Sequence, residues 1–164
     1  MAQWQVAYDG DVAIVSMDDG KANAVLAPEF ASLEAALDEV VASRALSAVL
    51  TGRPGYLSAG LNLKQLPALS MEEKKDVVRA MGSAVLKLFL LPKPVVCAVS
   101  GHALGAGAMF ALACDLRVFA EGPFRFGLNE VPAGLFVPTC AVETAHAVVS
   151  ASRLTELVVR GHVL

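Results

Sequence analysis

Between Val95 and Ala113 the chain has two apolar runs, VVCAV and AMFALA, broken by Ser100-Gly101-His102 and by the glycines at 105 and 107. The pattern predicts a buried strand, a turn and then a buried helix. Gly105 and Gly107 flank Ala106 where that helix should begin, so little side-chain bulk covers its first amides. Such amides have no partner inside the helix and lie at the positive end of its dipole, where they can hold an oxygen that gains negative charge.

Other readings compete for the same stretch. Residues 95 to 116 are long and apolar enough for a membrane span, but three glycines, a serine and a histidine interrupt them and no second span follows. The glycines resemble a phosphate loop, yet the Gly-Lys-Ser/Thr ending is missing. Tight packing of strand on helix is the third reading, and the stretch by itself does not separate it from catalysis.

At 164 residues the chain is long enough for one domain with a real core. It is 55% hydrophobic and 18% charged, which implies sheet buried on both faces or surface meant for partners. A net charge of −3 without a basic block argues against nucleic acid. Cys97, Cys114 and Cys140 are odd in number and sit in apolar runs, so they read as reduced thiols of a cytoplasmic protein. No charged-then-apolar leader opens the sequence.

Gln3 to Tyr8 and Val12 to Met17 alternate around Asp9-Gly10-Asp11, a β-hairpin pattern. A loop, Asp18 to Ala27, leads to Pro28 and a helix with Phe30, Leu33, Leu37, Val40 and Val41 on one side and Glu29, Glu34, Asp38 and Glu39 on the others. Ala48 to Thr51 is a strand. Tyr56 to Leu63 reads as a small-residue turn leading into a short helix that stops at Pro67. Ser70 and Glu73 open a helix from about Met71 to Leu90, with Val77, Met81, Val85, Leu88 and Phe89 on one face. Alternation of strand and helix up to Val95 predicts an α/β layer with right-handed crossovers. Further on, Leu116 to Phe119 and Phe124 to Phe126 read as strands, and Pro138 to Val149 and Arg153 to Arg160 as helices. The chain stops at Leu164 without a closing element and reads as a fragment.

Three motifs in order, YLSAGLNLK, KPVVCAVSGHALGAG with FALACDLRV, and FRFGLNEVPAGL, are similar to the crotonase superfamily of enoyl-CoA hydratases and isomerases. The resemblance runs from the first hairpin to Leu164. It implies an α/β fold, a crotonase-like spiral of ββα units with parallel sheets and covering helices. Residues 1–164 would then be the N-terminal core domain, without the family's C-terminal helices. It also implies an acyl-CoA thioester substrate, no cofactor beyond the coenzyme A carried by that substrate, and trimers or pairs of trimers.

Carried over by position, the two oxyanion-hole amides fall on Leu61 and Ala106, next to Gly105. Ala59, Gly60, Leu61, Asn62 and Leu63 would line the coenzyme A, and Lys21 and Lys64 would reach its phosphates. Hydratases of the family use two glutamates. Here the first position is Met109 and the second is Glu130. One carboxylate suffices to move a double bond, whereas adding water is easiest with two. Gly-Leu-Asn-Glu at 127–130 and Ser-Ala-Gly-Leu at 58–61 look like the Δ3,Δ2-enoyl-CoA isomerase branch. Val131, Leu135 and Phe136 are expected to desolvate Glu130 and raise its pKa. Glu121 and Glu143 are candidates for a second acid but read more simply as solvated surface. Ser100 and His102 lack a nucleophile elbow, and His146 and His162 lack metal-ligand spacing.

Overall fold

A computed structural model describes residues 3–164. Strands β1 (Gln5–Asp9) and β2 (Val12–Ser16) form the hairpin, joined by only two residues because β1 extends through Asp9. Short strand β3 (Ala24–Val25) lies within the expected loop, and helix α1 (Ala27–Ala42) follows it. Next come β4 (Ser47–Thr51), β5 (Gly55–Ser58) and β6 (Gly60–Leu61), then helix α2 (Met71–Phe89) and β7 (Val95–Val99). A five-stranded sheet takes the order β1, β2, β4, β7 and finally β9 (Leu116–Phe119), and every pairing beyond the hairpin is parallel. Parallel strands are therefore joined through helices, with α1 between β2 and β4 and α2 between β4 and β7.

The capping box on α2 forms as expected. The Ser70 N–H donates to Glu73 Oε2 at 2.7 Å, and the Glu73 N–H donates to Ser70 Oγ at 3.3 Å. Val77, Met81, Val85 and Leu88 are buried, but Phe89 stays 43% exposed, as does Val41 of α1 at 42%. Each side chain taken fully out of water contributes about 1.5–3 kcal/mol, so these faces supply much of the layer's cohesion. Glu29, expected on an outer face, is buried instead, and its Oε2 accepts from the Leu26 N–H at 2.9 Å to cap α1.

Two expectations fail at the glycine-rich segments. Residues Gly101–Leu104 are a strand, β8, rather than part of a turn. It pairs in parallel with β5 and with β10 (Phe126–Gly127) in a second sheet of three strands. The chain passes straight from one sheet into the other because Gly101 meets Gly55 so closely that a Cβ would fall 2.0 Å from the Gly55 carbonyl carbon. Likewise, Tyr56 to Leu63 is not turn and helix. It is β5 and β6, the latter pairing with β3, followed by a single 3-10 turn at Leu66–Ala68 that includes Pro67.

Helix α3 (Ala106–Ala113) is buried at all eight positions, including Met109 and Phe110. A helix apolar all round belongs in a core, and Trp4 and Phe30 close on Phe110 edge-to-face at 5.7 and 6.0 Å. No helix is long and apolar enough to cross a membrane among the described residues. Helices α4 (Thr139–Val148) and α5 (Ala151–Leu154) complete the chain, and α5 widens into a π turn at Thr155–Val159 where one continuous helix was expected.

Candidate active site

A cavity of about 290 Å³ lies between β6, α2, the first turn of α3 and the loop after β10. Leu61, Ala106, Met109 and Glu130 all line it. Three chain segments far apart in sequence thus bring these residues to one cavity.

The glycines flanking Ala106 do different things. Gly105 precedes α3 with φ +52° and ψ −118°, a conformation that side-chain-bearing residues rarely adopt, and it turns the chain from β8 into the helix. Gly107 allows close approach, since a Cβ there would lie 2.3 Å from the Ser58 carbonyl oxygen. Packing and amide presentation, alternatives from sequence, are divided between the two. Ala106 is the first helical residue, so its N–H has no acceptor within α3.

The other strand of the site is fixed by side chains that sequence reasoning passed over. Asn23 is fully buried with φ +52°, and its Nδ2 donates to the Met17 and Leu57 carbonyls at 2.7 and 3.1 Å. Ser58 Oγ donates to the Asn23 carbonyl at 2.6 Å and accepts from the Gly60 N–H at 3.1 Å. This relay holds Gly60, whose φ of +85° sets it against the Gly105 turn, where a Cβ would fall 3.3 Å from the Ala106 nitrogen. The Asn62 N–H donates to the Val25 carbonyl at 3.0 Å, so the Leu61 N–H one residue earlier is turned away from β3. The available signal was Asn23 itself, because asparagine tolerates positive φ better than most residues.

Glu130 is 6% exposed, and its Oε2 is buried without a hydrogen-bond partner. Its Oε1 lies 3.2 Å from where a Cβ on Gly105 would stand. Burial pushes its carboxyl above the ordinary range, opposed only by a backbone hydrogen bond. A desolvated carboxyl with one oxygen unpaired is suited to taking and returning a proton at neutral pH. Leu135 and Phe136 share its cavity as expected, but Val131 points elsewhere and is 46% exposed. Met109 is 1% exposed, and Glu130 is the one carboxylate on the cavity wall among the described residues.

Of the remaining predicted residues, Ala59, Leu63 and Gly105 line the cavity, while Gly60 lies buried behind it. Asn62, Lys21 and Lys64 are outside its wall, and both lysines are exposed. Glu121 and Glu143 are exposed and also outside it. The His102 Nδ1 accepts from the Arg125 N–H at 3.0 Å, a structural use of that ring.

The sequence matches the enoyl-CoA hydratase/isomerase family over residues 8–163. The chain belongs to that family. Within this hydratase/isomerase family it is 38% identical over 144 residues to a protein of Thermus thermophilus named for enoyl-CoA hydratase, covering 85% of this chain and 56% of that one. The chain spans roughly three fifths of the length of such curated relatives, as with a Bacillus subtilis enoyl-CoA hydratase homologue covered to 61%. Among solved structures, a family protein from Pseudomonas syringae superposes with a TM-score of 0.92 at 30% identity, over 98% of this chain and 69% of that one. A Mycobacterium tuberculosis protein, 29% identical and covered to 70%, superposes at 0.89 and is described as an enoyl-CoA isomerase. A second structure of it bears the hydratase name. The crotonase-type α/β fold expected from the motifs is thus the fold of this chain.

Proposed function

We propose that the full-length protein shifts the double bond of 3-enoyl-CoA thioesters to the 2,3 position, with Glu130 as the only acid–base group. In this reading the thioester oxygen rests between the N–H groups of Leu61 and Ala106. The Glu130 carboxylate removes a proton from the carbon between the double bond and the carbonyl. The electrons move into the carbonyl, giving a dienolate whose charge the two amides hold. The protonated Glu130 then returns its proton two carbons further along, and the base is regenerated. Preorganised donors of this kind are worth about 2.7–4 kcal/mol each. Coenzyme A enters only as part of the substrate, and the assembly is a cytoplasmic homotrimer or hexamer.

The observation that carries this reading is Glu130 as the one carboxylate on the cavity wall among the described residues, with Met109 where a second acid would be needed for water addition. The names of the relatives favour a second reading, hydration of 2-enoyl-CoA with another acid in place of Met109. Among the described residues no such acid reaches the cavity. The test is double-bond shift on 3-enoyl-CoA by the full-length protein with and without Glu130→Gln. Loss of at least about 100-fold supports the reading, and equal rates reject Glu130 as the base. Fast water addition would favour the hydratase, and tight acyl-CoA binding without turnover would indicate a binding protein.

A further inference from the structure

The cavity wall is apolar except at Lys74, Asn129 and Glu130. Lys74 sits in the first turn of α2 and shares its cavity-facing stripe with Val77, Val78 and Met81, at spacings of three, four and seven residues. It is half-buried. The acids around it are already engaged: Glu72 pairs with Lys75 and Arg79, Asp76 with Arg79, and Glu73 caps Ser70. Among the described residues, the Lys74 amine has no hydrogen-bond or ion-pair partner.

Nor does a hydrogen bond or an ion pair join Lys74 to Glu130 among the described residues. Burial alone raises the Glu130 carboxyl, with no cation pulling it down. Met81, at the inner end of the stripe, is 1% exposed, and Lys74 lies about 10 Å from it along the helix axis at about 1.5 Å per residue. The cavity lining therefore carries a carboxyl from the loop after β10 and an unpaired lysine amine from the first turn of α2, on a wall that is otherwise largely apolar. An ammonium against apolar wall loses hydration, and an anionic group on the occupant would replace it with a charge-assisted hydrogen bond.

Resting on the acyl-CoA reading of this cavity, we infer that Lys74 determines specificity by binding a carboxylate at the far end of the acyl chain. The substrate class is then a carboxylate-ended enoyl-CoA rather than a plain fatty acyl thioester. A phosphate of coenzyme A offers the same anionic chemistry from the other end of the substrate, and the solvated alternative is a lysine whose stem alone touches the wall.

Two 3-enoyl-CoA substrates of equal length, one ending in methyl and one in carboxylate, separate these on the full-length protein with Lys74→Met and Lys74→Arg. The expected result is a wild-type preference for the carboxylate end of about 10- to 100-fold in kcat/KM. Lys74→Met abolishes that preference, the carboxylate-ended kcat/KM falling to that of the methyl-ended substrate, and Lys74→Arg retains most of it. An equal fall on both substrates transfers the amine to the coenzyme A phosphates and overturns the inference, as does no change on either. If the wild type isomerises neither substrate, calorimetry with saturated analogues decides. Tighter binding of the carboxylate-ended analogue, lost in Lys74→Met, upholds the specificity while the isomerase reading fails. Equal binding of the two analogues overturns the specificity as well.

Discussion

Glu130 and Gly105 are fitted to one another: a Cβ on the glycine would stand 3.2 Å from the carboxyl Oε1, closer than such atoms ordinarily approach. Gly105→Ala therefore presses on the carboxyl and forces a side chain into a backbone conformation at φ +52°. It should lose about 1–3 kcal/mol of stability from strain. Activity should fall at least about tenfold beyond what unfolding explains, as measured by urea melts beside steady-state rates.

Ala106→Pro tests the amide directly. Proline is tolerated at the first helical position, where its missing N–H has no helical use. Helix α3 should form, with little change in melting temperature, while kcat falls about 100- to 1,000-fold through loss of one donor. Full activity in a folded Ala106→Pro protein would remove that amide from the mechanism.

The raised pKa of Glu130 has a sign for both activity and stability. In the proposed mechanism Glu130 works as carboxylate, so kcat/KM should rise with pH through a midpoint above the ordinary carboxylate range. Because the folded pKa exceeds the unfolded one, the native state binds more protons between the two values. The stability associated with this group is full below the unfolded pKa and declines as pH rises through the folded pKa. Glu130→Gln should abolish that part of the decline, so urea midpoints of the two proteins should diverge in favour of the variant as pH rises.

Ser58→Ala breaks the relay between Asn23 and Gly60. A buried carbonyl and a buried N–H lose their partner, a cost of about 1–3 kcal/mol. If the relay also sets the Leu61 amide, kcat should drop more than KM rises. A stability loss with unchanged kcat would confine Ser58 to folding.

The main layer was legible in the sequence because its strands and helices carry their own periodicity: Val95 to Val99 alternates into the core, and α2 announces itself with Ser70 and Glu73. The two smaller sheets were not. Gly55–Ser58, Gly60–Leu61 and Gly101–Leu104 are short and rich in small residues, and main-chain contact rather than a hydrophobic face specifies them. Glu130 was found through a motif, whereas its lack of a partner required packing from β10, α3 and the loop beyond. Lys74 escaped because four neighbouring acids and bases make that helix turn look uniformly solvated, and only the fold shows which spoke of the turn meets the cavity.

The turns at Gly60 and Gly105 meet through main-chain contact beside the Leu61 and Ala106 amides, without help from the Leu61 or Ala106 side chains. The tool that grips and the tool that reacts are consequently separable. In the proposed reading, replacing Met109, Lys74 or Glu130 would redirect the chemistry of the pocket without rebuilding that pair of turns, so a lineage carrying them could diversify by exchanging a few wall residues.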